Sequence, residues 1–255
     1  MFKNRLKEKI RNGQAAIGSW IAFSDPYAVE AMAAAGYEWL LIDTEHCPIG
    51  TESLRNILIA MKGTPVVPVV RLMNNHPDYF KMALDLGAGG VMVPMVETED
   101  LARRAVDHCR YPPLGRRGCA PVRASNYFHH YDEYMAQAND ETLLVVQIET
   151  MQTLRELDAI LEVKGLDAIF IGTGDLALSM NFMPEAERPP VAKVVSQIFE
   201  KARAFGIPYG TLAGSPEECV QYVRQGATLL TVGGDLRFMM EGAAGCLKQT
   251  RSLIR

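Results

Sequence analysis

No run in this 255-residue chain approaches the roughly 18 consecutive apolar residues that a membrane-spanning helix needs. The first eleven residues carry charges throughout, where a secretory leader would place an apolar segment, so neither membrane anchoring nor export is expected. Basic residues are not in excess: 26 Lys+Arg stand against 30 Asp+Glu, a formal net charge of −4. Without a positive field to gather phosphates, the expected partner is a small molecule or another subunit rather than nucleic acid. The five cysteines, Cys47, Cys109, Cys119, Cys219 and Cys246, are odd in number and scattered, with no C-x-x-C pair for zinc or redox work. That usage suits a reduced, cytoplasmic protein.

Several catalytic signatures are missing as well. No G-x-G-x-x-G follows a strand; Gly172-Thr173-Gly174-Asp175 lacks the third glycine and puts an acid where a phosphate would want a neutral or basic residue. No G-x-S-x-G elbow is present, which weighs against hydrolytic acyl transfer. None of the nine lysines falls at the C-terminal end of an expected strand, so a Schiff-base mechanism has no evident nucleophile.

What the chain does contain is alternation. Eight short apolar runs, 15–23, 39–43, 66–71, 90–96, 143–149, 168–172, 207–212 and 229–233, read as strands. Between them lie stretches of helical period at 26–35, 52–61, 77–86, 99–109, 151–161, 191–205 and 216–225, several opened by a Ser, Asp or Thr cap or an early Pro. Eight strand–helix repeats predict a (β/α)₈ barrel formed as one domain over residues 1–255. Glycines at the helix-to-strand joints, Gly36, Gly87 and Gly226, read as left-handed helix stops. Two connections, 97–142 and 173–206, are long; the Pro/Gly/Arg-rich stretch 111–126 is expected to lie over one barrel mouth.

In such barrels chemistry collects where the strands end. The second strand ends in Asp43-Thr44-Glu45-His46, the third in Arg71, the fifth in Gln147-Ile148-Glu149; the sixth leads into Asp175 and the eighth into Asp235. Glu149 and Asp175 could share a hard divalent ion, Mg²⁺ or Mn²⁺, or each could cap a following helix. Arg71 could hold a substrate carboxylate or an enolate oxygen, or form an ion pair with Asp43 or Glu97. His46 could serve as a general base oriented by a buried carboxylate such as Asp85, or pack in a loop. Cys47 reads as packing.

The segments Trp39-Leu40-Leu41-Ile42-Asp43-x-Glu45-His46, Val91-Met92-Val93-Pro94-Met95-Val96, Tyr111-Pro112-Pro113-x-Gly115-x-Arg117-Gly118, Val146-Gln147-Ile148-Glu149-Thr150 and Phe170-Ile171-Gly172-x-x-Asp175-Leu176 occur together and in this order. In them the chain closely resembles, over essentially its whole length, the HpcH/HpaI family of metal-dependent (class II) pyruvate aldolases, typified by 4-hydroxy-2-oxoheptanedioate aldolase. The resemblance implies a modified barrel, assembled as a hexamer (a trimer of dimers) that exchanges the last helix, 235–254. It implies a divalent metal (Mg²⁺, Mn²⁺ or Co²⁺) on Glu149 and Asp175, Arg71 at the pyruvate keto oxygen, and His46 paired with Asp85 to manage protons. Gly174 and Asp175 would give backbone N–H groups to the pyruvate carboxylate, with Gln147 also on the substrate side. Leu212 would face the aldehyde, and Asp43 would stand near the site, across a subunit interface.

The chain departs from the family pattern at Thr173-Gly174, where many relatives have Pro-Ala, and at Cys47-Pro48. The acceptor side, including Arg123 and 126–130, differs enough to leave the aldehyde open. The expected activity is reversible cleavage of 4-hydroxy-2-oxo acids to pyruvate and an aldehyde. Its alternatives are an oxaloacetate decarboxylase or macrophomate-synthase-like enzyme using the same enolate, and a barrel that binds metal and a 2-oxo acid without turnover.

Overall fold

The computed structural model describes residues 3–254 and contains the eight expected strands. They are β1 (Ala16–Ile21), β2 (Trp39–Asp43), β3 (Val67–Arg71), β4 (Gly90–Val93), β5 (Leu143–Ile148), β6 (Ala168–Ile171), β7 (Tyr209–Ala213) and β8 (Leu229–Gly234). Each pairs in parallel with its sequence neighbours, and β1 pairs with β8 to close the barrel. Helix α1 (Arg5–Arg11) precedes the barrel; α2 (Pro26–Ala34), α3 (Thr51–Ala60), α4 (Pro77–Asp85) and α5 (Glu99–Cys109) follow the first four strands. The second half adds α6 (Tyr131–Glu141), α7 (Met151–Arg155), α8 (Leu157–Leu161), α9 (Thr173–Met180), α10 (Val191–Ala204), α11 (Pro216–Arg224) and α12 (Asp235–Ile254). This is the (β/α)₈ barrel expected from the alternation.

The local reasons are those of the sequence. Asp25, Thr98, Thr150 and Ser215 accept first-turn N–H groups at the starts of α2, α5, α7 and α11, and Pro26, Pro77 and Pro216 open their helices. The joint glycines Gly36, Gly87 and Gly226 take positive φ, as expected of helix stops. Strand residues of one parity fill the barrel: Trp39, Leu41, Val69, Met92, Val145 and Phe170 belong to the inner cluster. The other parity packs against the helices, where Leu40, Ile42, Val70, Val146 and Ile169 are fully buried. This two-sided burial explains why the runs are continuously apolar.

Three helices fall outside the sequence expectation. Helix α1 seals the end of the barrel where the strands begin, because its Leu6 and Ile10 join the inner cluster despite the charges around them. Helix α6 lies in the first long connection, and α9 starts directly after β6. The helix expected at 151–161 is instead two, broken at Glu156. The expected strand 90–96 stops at Val93, since Pro94 has no N–H to pair and Met95 takes φ 53°. The stretch 111–126 joins the C-terminus of α5 toward β5, so the barrel end it borders is the one sealed by α1. There Arg123 donates to the carbonyls of Leu58 and Leu86 at the ends of α3 and α4.

Candidate active site

The opposite, open end gathers the polar strand ends. Arg71, last in β3, is in register with Asp43, last in β2. Its Nε donates to Asp43 Oδ1 at 3.0 Å and its Nη2 to Oδ2 at 2.6 Å, a two-pronged grip between nearly buried groups. Burial pushes the Asp43 carboxyl up, but the Arg71 hydrogen bonds and charge outweigh it and hold the group below its ordinary range. Asp43 Oδ1 also accepts the backbone N–H groups of Glu45 (3.0 Å) and His46 (3.2 Å), which fixes the turn carrying both. The Trp20 ring lies against the face of the guanidinium, 4.4 Å from its Cζ.

Glu45 occupies the gap between Arg71 and His46. Its Oε2 is 3.2 Å from Arg71 Nη1 and 3.7 Å from His46 Nε2. The first contact is an ion pair whose angle falls outside hydrogen-bond geometry, so this buried oxygen has no hydrogen bond. Burial raises the Glu45 carboxyl, opposed by the charge of Arg71. The His46 side chain is 62% exposed and opens to the mouth.

Glu149, just past β5, is 2% exposed. Its Oε1 accepts the Met95 N–H at 2.6 Å and its Oε2 the Gln147 amide at 3.1 Å. Burial pushes its carboxyl up to about 7; the Met95 N–H opposes this, and the charges of Glu45 and Asp175 add to it. Met95 holds a positive φ while making this bond, a strain of the kind found beside working groups. Gly172 makes room for the carboxylate: a Cβ there would stand 2.6 Å from Glu149 Oε2 and 2.9 Å from its Cβ. Asp175 is exposed in the first turn of α9, whose N-terminus has no side-chain cap. Gln147 Oε1 is buried without a hydrogen bond.

Of the residues named from the sequence, the mouth therefore unites Asp43, His46, Arg71, Gln147, Glu149, Gly174, Asp175 and Leu212. Two expectations are corrected. Asp43 belongs to its own chain's site and needs no interface to reach it. Asp85 is the last residue of α4, about 13 Å along that nine-residue helix from its start and at the sealed end of the barrel. It pairs with Arg117 at 2.7 Å, and the carboxylate beside His46 in this chain is Glu45. The ion pair of Arg71 forms with Asp43 and not with Glu97, which instead accepts from Thr150 at 2.8 Å.

Asp235 accepts the backbone N–H groups of Ala22, Phe23 and Leu236, a structural cap. Burial and the neighbouring Asp43 push the Cys47 thiol up to about 11, which agrees with packing. Sequence reasoning gave no role to Glu45, Trp20, Met95 or Gly172. Glu45 sat in view inside a quoted motif; the other three show their significance only through contacts between strands.

A family model described as HpcH/HpaI aldolase/citrate lyase matches residues 16–241. A 5-keto-4-deoxy-D-glucarate aldolase from Escherichia coli O139:H28 is 38% identical over 236 residues, 92% of each chain. A crystal structure of an HpcH/HpaI aldolase/citrate lyase family protein from Burkholderia cenocepacia J2315 superposes with TM-score 0.91 at 32% identity, covering 98% of this chain and 100% of that one. An HpcH/HpaI aldolase from Desulfitobacterium hafniense DCB-2 gives TM-score 0.89 at 26% identity over 96% of each.

Proposed function

From the premise that the chain belongs to the HpcH/HpaI aldolase/citrate lyase family and is a carbon–carbon lyase of the aldolase kind, we propose that it cleaves 4-hydroxy-2-oxo acids reversibly to pyruvate and an aldehyde. The observation that carries this reading is Arg71, gripped by Asp43 and stacked on Trp20, facing the same mouth as the buried Glu149. A gripped guanidinium is a preorganised donor for the oxygen on which charge develops as the C3–C4 bond breaks.

The donor set suits a divalent metal. Burial and its carboxylate neighbours raise Glu149, and Glu45 Oε2 and Gln147 Oε1, neither of which accepts a hydrogen bond, are hard donors. Glu149 and Asp175 are the residues that would hold Mg²⁺, Mn²⁺ or Co²⁺, which when bound acts as a Lewis acid toward the oxygens of a 2-oxo acid. The chain's own groups do the rest. The uncapped first turn of α9 offers the N–H groups of Gly174 and Asp175 to the pyruvate carboxylate, with Gln147 beside it. Arg71 stabilises the enolate oxygen. His46 moves the proton of the 4-hydroxyl, and an Asp85 partner for it has to come from a second subunit.

Assembly belongs to the same proposal. Helix α12 exposes Phe238, Met239, Met240 and Leu247, an apolar surface that supports exchange of this helix within a hexamer. Light scattering on the eluted protein should then give six times 28.2 kDa. The free cysteines support a cytoplasmic setting.

The deciding experiment is NMR of pyruvate in D₂O with the enzyme and Mn²⁺ or Mg²⁺. Methyl-proton exchange that requires metal and stops with chelator is the expected result; no exchange under any metal would overturn the proposal. Gly172→Ala gives a second check. Its new Cβ displaces the Glu149 carboxylate and presses on the Glu149 Cβ 2.9 Å away, so kcat should fall about 100-fold while stability falls by only about 1–3 kcal/mol. Equal losses of activity and fold would instead make Gly172 a packing residue.

A further inference from the structure

The segment Tyr111-Pro112-Pro113-x-Gly115-x-Arg117-Gly118 takes no part in the mouth, because it follows α5 at the sealed end. It folds instead around one carboxylate. The Arg117 N–H donates to the Arg110 carbonyl at 2.9 Å and the Arg116 N–H to the Asp107 carbonyl at 2.8 Å, which turns the loop back on the end of α5. Gly115 permits that turn, since a Cβ there would stand 2.6 Å from both carbonyl oxygens. The Arg117 guanidinium is thereby laid over the Tyr111 ring, 4.5 Å from its centre, with the arginine side chain fully buried.

Only one nitrogen of that guanidinium is used. Nη2 donates to Asp85 Oδ1 at 2.7 Å and to the Tyr134 hydroxyl at 3.3 Å, whereas Nε, Nη1 and the Tyr111 hydroxyl are buried without a hydrogen bond. Such an arginine is a poor stabiliser of its own fold, because a single ion pair does not offset the loss of water around two idle donors. What it does achieve is a fixed carboxylate. Asp85 ends α4, its carbonyl accepts the Ala124 N–H at 3.2 Å, and its side chain stays 23% exposed while Arg117 holds it through Oδ1 alone. Burial pushes the Asp85 carboxyl up; the hydrogen bond and charge of Arg117 oppose this, as does the charge of Lys81 on the same helix. Val122, Tyr127 and Phe128, from the connection that carries Ala124, are exposed apolar side chains.

We infer that Arg117 is a positioning residue for the active site of a second copy of this chain, where it holds the Asp85 carboxylate in place for that copy's His46. The inference rests on the aldolase reading proposed above, in which Asp85 reaches His46 from another subunit. In cleavage, His46 takes the proton of the 4-hydroxyl, the C4–O bond becomes a carbonyl, and the electrons of the C3–C4 bond pass to the enolate. The imidazolium formed in that step is stabilised by a carboxylate beside it. Without Arg117 the Asp85 side chain loses both its anchor and the charge that keeps it ionised.

The assay is cleavage of 4-hydroxy-2-oxopentanoate by the manganese-loaded enzyme. Arg117→Met should lower kcat about 30-fold with KM changed less than about threefold, and Arg117→Lys, which keeps the charge, should return to within about fivefold of wild type. Added to Asp85→Asn, Arg117→Met should cost less than about a further twofold, because both substitutions disable one device. Placement across subunits is read by mixing. Arg117→Met and His46→Ala chains are each weak alone, but in co-assembled oligomers a His46 of the first chain can meet an Asp85 held by Arg117 of the second. With equal amounts and random assembly, about a quarter of wild-type activity should return. Should Arg117→Met chains fail to assemble, Arg117→Gln takes their place in the same mixture.

Near wild-type kcat in Arg117→Met overturns the inference, as does a large further loss in the Asp85→Asn background. Mixed oligomers no more active than the mean of their parents overturn it too, because an arginine that served only its own subunit's fold could not be complemented. These three failures arise only in an active wild type. A wild type that cleaves no 4-hydroxy-2-oxo acid and exchanges no pyruvate protons rejects the aldolase reading itself, and this inference falls with it.

Discussion

Glu149→Gln should lower aldol cleavage by about 1,000-fold or more, roughly 4 kcal/mol of transition-state stabilisation, while leaving the fold intact. The two effects separate because of the hydrogen bonds around the side chain. A glutamine keeps an oxygen for the Met95 N–H, now 2.6 Å from Oε1. Its new NH₂ would meet the Gln147 NH₂, but Gln147 can turn its amide and present Oε1, the atom that lacks a hydrogen bond. What the substitution removes is a charge that burial disfavours and a cation would favour. Steady-state cleavage together with Mn²⁺ calorimetry reads the outcome, and loss of both activity and Mn²⁺ binding is expected. Full metal-dependent activity in this variant would remove Glu149 from the chemistry.

Asp167→Ala should cost about 3–5 kcal/mol of stability, seen as a lower denaturant midpoint at unchanged slope. Asp167 is 6% exposed and lies at the sealed end of the barrel. Its carboxylate meets Lys7 at 2.9 Å, Arg11 at 2.9 Å and Arg110 at 2.6 Å, and accepts the Leu144 N–H at 2.9 Å. Lys7 and Arg110 are themselves nearly buried. Burial already pulls the Lys7 ammonium below its ordinary range with Asp167 opposing, so without Asp167 it can shed its proton. Arg110 has no such escape, and an uncompensated buried guanidinium dominates the expected loss. A change below about 1 kcal/mol would mean that water reaches this cluster and screens it.

The barrel was legible from the chain because eight doubly buried strands leave continuous apolar runs, and a glycine or proline marks nearly every joint. Helix α1 escaped notice because five of its seven residues are basic or acidic, and its two buried apolar anchors, Leu6 and Ile10, are too few to show a period. The site was legible to the extent that its residues end strands: Asp43, Arg71 and Glu149 each do, or follow one directly. Glu45 and Trp20 act through neighbours brought together by register between strands, which a linear reading does not supply. Asp85 shows the converse case. Its place at a helix end fixed which end of the barrel it would occupy, and only the direction of that helix, opposite to the strands, reveals that this end is remote from its own chain's His46.

Closure of the sheet also sets the order of events as the chain is made. The β1–β8 ladder and the Asp235 cap on Ala22 join segments 213 residues apart. At about 5–20 residues per second that interval takes roughly 10–40 s to synthesise. Throughout it β1 waits with one edge unpaired, and α1 waits for Thr142 and Asp167 before Lys7 has its partners. The nascent chain therefore carries an open strand edge until about its last tenth emerges. Chaperone dependence during synthesis, and slow refolding from denaturant, are the expected signatures of that long-range seam.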